Sequence, residues 1–161
     1  MADQSLGAAD RLDIIDTCRR MARCVDDRRW RELGELVAEE IELDYSDVSG
    51  RTPVRYTRAE YTKHSAALLA NEPVTQHQVA SHIVEGSGDR ARCISQFQAT
   101  HVLPGTNGDP VWALGGQYDM GLIKTDGRWQ IRSIRATRRW TTGNWQVVVA
   151  GRTPVAATTG G

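Results

Sequence analysis

Residues 24–45 read CVDDRRWRELGELVAEEIELDY. The apolar period changes inside this stretch. Trp30, Leu33, Leu36 and Val37 recur at helical spacing, which predicts a helix over Arg28–Ala38. Ile41, Leu43 and Tyr45 then alternate with Glu42, Asp44 and Ser46, which predicts a half-buried strand over Ile41–Ser46. A helix that runs straight into an amphipathic strand implies helices layered on one face of a sheet.

Upstream, Leu12, Ile14, Ile15, Cys18, Met21, Ala22 and Val25 predict a helix from Ala9 or Asp10 to about Val25. Asp10, Asp13 and Asp16 lie early and Arg19, Arg20 and Arg23 late, as the helix dipole favours. Continued past Val25, the helix sets Asp26 roughly 40° from Ala22, on the edge of the apolar arc, and Asp27 roughly 140° away. Asp26 then points inward, and Asp27 is free to cap the next helix.

Downstream, SDVSGRTPVRY (46–56) reads as a loop. Thr57 opens a third helix with Glu60 completing a capping box, and Asn71-Glu72-Pro73 ends it. Tyr61, His64 and Leu68 share its inner face. Strands follow near Thr75–Glu85, Ala91–Leu103, Val111–Lys124 and Arg128–Trp140, joined by GSGD, PGTNGDP and TDG, with a short strand at Trp145–Val149. The expected fold is α+β: helices packed on one face of a curved antiparallel sheet. Residues 1–8 and 150–161 read as flexible ends, and 9–149 as one domain.

The 161 residues suffice for one domain with a real core. Lys+Arg and Asp+Glu both number 20, which argues against a nucleic-acid footprint. No apolar run approaches the roughly 20 residues of a membrane helix, and the acidic N-terminus is unlike a signal peptide. The expectation is a cytoplasmic protein. Cys18, Cys24 and Cys93 lack CxxC spacing and read as small buried hydrophobes. His64 and His77 have no carboxylate close by in sequence, so no metal is expected. GSGDR and GGQYDMG lack the spacing and the lysine of a phosphate loop, and no cofactor is expected.

Helix, VDDRRWRELGELVAEEIELDYS, helix, TQHQVASHIVEGSGDRAR and GGQYDMGLIKTDGRWQIRSI, in that order, resemble the SnoaL-like branch of the nuclear transport factor 2-like superfamily over Asp10 to Trp140. The resemblance implies a cone-shaped α+β barrel, in which the curved antiparallel sheet wraps around about three N-terminal helices and leaves a deep apolar internal pocket. It also implies membership of a group that includes scytalone dehydratase, lindane dehydrochlorinase, polyketide cyclases and steroid isomerases beside non-catalytic proteins. In its dehydratase and dehydrochlorinase members an aspartate ending the first helix orients a histidine on the strand after the third helix. Asp26 and His77 occupy those places. Where scytalone dehydratase has a second histidine, RCISQFQATHV places Phe97 or Gln96, with His101 further on near the strand end.

A histidine near neutral pKa takes a proton from carbon or hydroxyl when a buried carboxylate fixes its tautomer. The expected catalytic set is therefore Asp26, His77 and Tyr45, the last to polarise a substrate oxygen. His64, Phe97, Trp112 and Tyr118 are the expected substrate-binding set. His82, of opposite strand parity to His77, cannot face the same cavity in a regular strand and is assigned a structural or interfacial role. Taken alone, Asp26 serves equally as a helix-end cap or a partner of Arg29. The expected activity is a cofactor-independent lyase, cyclase or isomerase acting on a small, largely apolar cyclic or polyketide-type molecule, in a homodimer or homotrimer. The alternatives are a non-catalytic ligand- or partner-binding module, or an oxygenase small subunit.

Overall fold

The structure, a computed structural model, describes residues 5–71 and 74–152. Eleven elements follow one another: α1 (Ala8–Asp26), α2 (Trp30–Glu35), β1 (Val37–Asp44), α3 (Ser46–Ser49), β2 (Val54–Thr57), α4 (Arg58–Leu68), β3 (Val74–Ser87), β4 (Arg90–Val102), β5 (Val111–Thr125), β6 (Arg128–Gly143) and α5 (Gln146–Arg152). The strands form one curved sheet in the order β2-β1-β6-β5-β4-β3, which does not close into a barrel. All neighbours are antiparallel except β1 and β6, which run parallel.

Extra residues in the ladders bend the sheet. Ser81 and His82 together oppose the single Ser95 in β3–β4, and in β5–β6 the register slips at Gly115/Gly116 and Gly121/Leu122. At Gly116 the two backbones approach so closely that an added Cβ would lie 2.0 Å from the Thr137 carbonyl oxygen. The concave face holds the core: Ile41, Cys93, Met120, Leu122, Ile131 and Ile134 are almost fully buried against Ile14, Cys18 and Met21 of α1. Asp10 ties the start of α1 to the β5–β6 hairpin, accepting from Lys124 Nζ at 2.7 Å and Trp129 Nε1 at 2.8 Å.

Several expectations need correcting. The second helix is shorter than Arg28–Ala38. Arg28 has φ 57°, so α1 must end there, and Val37 already pairs with Ile131 in β1. Asp27 does not cap α2; its carboxylate pairs with Arg23 and Arg29. Leu12 is 68% exposed rather than core. The expected loop 46–56 contains α3 and β2. Trp145–Val149 is helical at its C-terminal part, because the Asn144 side chain accepts from the Gln146 N–H and caps α5, whose Val147 and Val148 are buried. The Thr57–Glu60 capping box is present, and all three cysteines are buried. Asn71-Glu72-Pro73, read as the end of the third helix, lies partly outside the described residues; α4 ends at Leu68. Residues 1–4 and 153–161 of the expected ends also lie outside them. Ser5 bridges Ser87, Leu6 is buried, and α5 extends to Arg152, so the packed part is longer than 9–149. Among the described residues no helix is long and apolar enough to cross a membrane.

Candidate active site

α1 stops beside the first strand of the large antiparallel ladder, which brings its last carboxylate to the side chains of β3. The Asp26 Oδ1 atom lies 2.7 Å from His77 Nδ1 and accepts from the Thr75 hydroxyl at 3.1 Å. Oδ2 accepts from the His77 backbone N–H at 2.7 Å. Both side chains are largely sequestered, at 12% exposure for Asp26 and 14% for His77. Burial opposes the charge on Asp26, but the His77 ring, its backbone N–H and the Thr75 hydroxyl together hold the carboxyl below its ordinary value. An ionised carboxylate accepts only, so Nδ1 carries the proton and Nε2 is the nitrogen left to act as a base.

The depressed Asp26 value sets a pH dependence. The carboxylate is favoured in the folded chain, so its contribution is complete above the unfolded aspartate value of about 3.9 and is lost as pH falls through the lower folded value. In urea titrations the stability gap between wild type and Asp26→Asn is therefore expected to persist down to pH 5 and to shrink below about pH 4. A gap independent of pH down to the acid limit would contradict the ion-pair geometry.

His77 opens into a cavity of about 500 Å³. Its walls come from Met21, Ala22 and Val25 of α1, from α3, β2 and α4, and from β3–β5. Of the residues expected at the site, all but Asp26 reach it. Tyr45, His64, His77, Phe97, Trp112 and Tyr118 all line the cavity. Asp26 stands behind His77. Tyr45 lies just past the end of β1, at the start of α3. The Tyr45 and Tyr118 phenols are close enough to influence each other's charge. Burial pushes both above their ordinary value, so both stay protonated and keep an O–H that can donate to a ligand oxygen. Tyr118 stacks on Phe97 with ring centroids 4.1 Å apart, and His64 stacks on Tyr56 at 5.0 Å.

The structure also places residues at the site that the sequence reading left out. His101 lies at the end of β4 as expected, yet its ring lines the cavity, 6.1 Å from His77 and 5.3 Å from Trp112. Trp145 closes the row of rings, 4.9 Å from Trp112. Thr75 and Arg28 back the carboxylate: Arg28 Nη1 donates to Thr75 Oγ1 at 2.7 Å. The strand is not regular at His82: the bulge at Ser81–His82 returns it to the concave side, near Arg19 of α1. As expected, it is still not among the cavity-lining residues. Among the described residues, no group of three or more His, Cys, Asp or Glu side chains is gathered as a metal ion requires.

The SnoaL-like domain model matches residues 7–135. Among functionally curated proteins, none matches the chain. Solved structures share its shape. The Kfla4162 protein of Kribbella flavida superposes with a TM-score of 0.83 at 24% identity, over 88% of this chain and 97% of that one. A putative scytalone dehydratase of Novosphingobium aromaticivorans does so with a TM-score of 0.72 at 21% identity, over 83% and 87%. The hexachlorocyclohexane dehydrochlorinase LinA-type3 of Novosphingobium barchaimii has a TM-score of 0.67 at 15% identity, over 83% and 89%. At these identities the likenesses speak to the fold, and the family model spans most of the chain: the protein belongs to the SnoaL-like domain family.

Proposed function

We propose that the protein is a cofactor-independent lyase or isomerase of the dehydratase type, working by general acid–base catalysis on a small, largely apolar cyclic or polyketide-type molecule. The observation that carries this is the 2.7 Å contact between His77 Nδ1 and Asp26 Oδ1, on a histidine that opens into a cavity walled by aromatic and aliphatic side chains. His77 Nε2 takes a proton from the carbon next to a substrate carbonyl. The electron pair moves onto the carbonyl oxygen, where the phenolic O–H of the Tyr45–Tyr118 pair stabilises the developing charge. Asp26 holds the imidazolium that forms. When the enolate collapses it expels the β substituent. A departing hydroxyl takes the proton back from His77 and leaves as water, while a departing halide needs none. Return of the proton to a different carbon gives isomerisation from the same intermediate.

The reading is tested with cyclic β-hydroxy ketones, whose loss of water is followed by the absorbance of the enone. Wild type is expected to form enone, and Tyr45→Phe to lower kcat by on the order of 10-fold to 10²-fold, because Tyr118 remains to donate. Binding without enone formation across the series would make the protein a binding module instead. The proposal includes a homodimer or homotrimer. Ile83 and Trp140, on β3 and β6, are large apolar side chains left exposed, and light scattering on the purified chain gives the mass.

A further inference from the structure

We propose that Arg28 and Thr75 are positioning residues for the Asp26–His77 pair: they fix the carboxylate on Nδ1 and draw charge from it, which limits how strongly the imidazolium is held once His77 has taken a proton. The first argument is backbone conformation. Arg29 N–H donates to the Cys24 carbonyl at 2.8 Å and Arg28 N–H to the Val25 carbonyl at 3.2 Å, the two bonds of a Schellman helix end. That motif puts Arg28 in the left-handed region, at φ 57°, where glycine is the ordinary occupant. An arginine held there gives up backbone comfort, and its side chain shows what is gained. Nη1 bonds the Val25 carbonyl at 2.8 Å and the Thr75 hydroxyl at 2.7 Å.

The second argument is the direction of the chain of donors. Arginine only donates, so Thr75 Oγ1 must accept from it, and the hydroxyl hydrogen is left for Asp26 Oδ1 at 3.1 Å. Thr75 is 6% exposed, which leaves little room for any other rotor position. The same oxygen that receives Thr75 is the one that receives His77 Nδ1. A donor polarised by a cation therefore competes with the imidazole for the charge of one carboxylate oxygen. Second-layer donors of this kind set ligand basicity and orientation in metal–histidine–carboxylate sites, and the same electrostatics apply to a histidine base.

Among the described residues, His101 of β4 faces His77 at 6.1 Å between ring centroids, and Tyr118 of β5 is close enough to feel the Asp26 charge. His101 is also the cross-strand partner of Thr75, so its own resonances are followed in each variant as a control.

The experiment is an NMR titration of the histidine rings in isotope-labelled protein, with His77 assigned by its absence in His77→Gln. Thr75→Val and Arg28→Gly are each expected to raise the His77 midpoint by about 0.5 to 1 unit, since the carboxylate charge then falls on the imidazolium alone. Thr75→Ser is expected to restore the wild-type midpoint. Arg28→Gly suits the left-handed backbone, so it separates loss of the guanidinium from loss of the fold. A midpoint unchanged or lowered in Arg28→Gly, with only thermal stability altered, overturns the inference and makes Arg28 and Thr75 purely structural. The inference rests on reading His77 as the base, but the titration does not require turnover. A flat titration removes the positioning role and leaves the base, whereas absence of turnover in wild type removes the base and leaves the titration shifts standing.

Discussion

His77→Ala and Asp26→Asn are each expected to lower kcat by about 10²-fold to 10⁴-fold, with KM changed little. The alanine removes the base outright. The asparagine acts more indirectly, and its geometry explains why a near-isostere is so damaging. The His77 backbone N–H sits 2.7 Å from the Oδ2 position and keeps the amide oxygen there. The amide nitrogen is then left at the Oδ1 position, facing His77 Nδ1. An amide N–H can only donate, so Nδ1 must become the acceptor and the proton moves to Nε2. The ring then presents the wrong tautomer to the cavity, as well as losing the charge that stabilises the imidazolium. Far-ultraviolet circular dichroism of both variants is expected to match wild type. Unimpaired turnover in either would remove the pair from the mechanism.

Trp129→Ala is expected to cost about 3–5 kcal/mol, the range for deleting a large buried aromatic, and to lower Tm by roughly 10 °C in a chain of this size. Trp129 is 4% exposed, and its indole N–H holds Asp10 at 2.8 Å, so the substitution opens a cavity and also releases the start of α1 from the β5–β6 hairpin. Lys124 still holds Asp10 at 2.7 Å. Trp129→Phe keeps most of the ring volume and is expected to lose only about 1–2 kcal/mol. Urea titration measures both, with the slope unchanged if the denatured state is unaffected. Because the hairpin lies at the end of the sheet away from His77, Trp129→Phe is expected to keep wild-type kcat.

The layering of the fold was legible because periodicity and turn chemistry are local. The change of period between Val37 and Ile41, the Thr57–Glu60 box and the TDG turn each report the conformation of a few neighbouring residues. The α1 phase argument worked for the same reason: the angle between Asp26 and Asp27 depends only on helical geometry, and Asp27 does lie at the surface, paired with Arg23. What local pattern does not carry is register across a bulge. Counted back from the Ser87–Arg90 pair, a regular β3–β4 ladder sets His77 opposite Thr100. The extra residue at Ser81–His82 sets it opposite Ala99 instead. That one-residue slip turns His82 to the concave side and makes His101 a same-face diagonal neighbour of His77. The signal for His101 was present in its spacing, but only a reader who had placed the bulge could have used it.

The ends of elements failed for tertiary reasons. Three successive valines at 147–149 have strand propensity, and the Asn144 cap with burial of two of them makes a helix. Arg28 gives no warning of a left-handed residue, since arginine is a good helix former. Its position becomes intelligible only with Thr75 and Asp26 beside it.

The central claim is that His77 takes a proton from carbon inside the cavity with Asp26 behind it. Hydrogen–deuterium exchange at the α carbon of a bicyclic ketone such as 2-tetralone, incubated with the protein in deuterated buffer and followed by proton NMR, measures that step without requiring a leaving group. Exchange well above the buffer rate with wild type, falling to the buffer rate with His77→Ala and Asp26→Asn, is the outcome this mechanism requires. Exchange that persists unchanged in His77→Ala, or that never exceeds the buffer rate in wild type although the ketone binds, would contradict it.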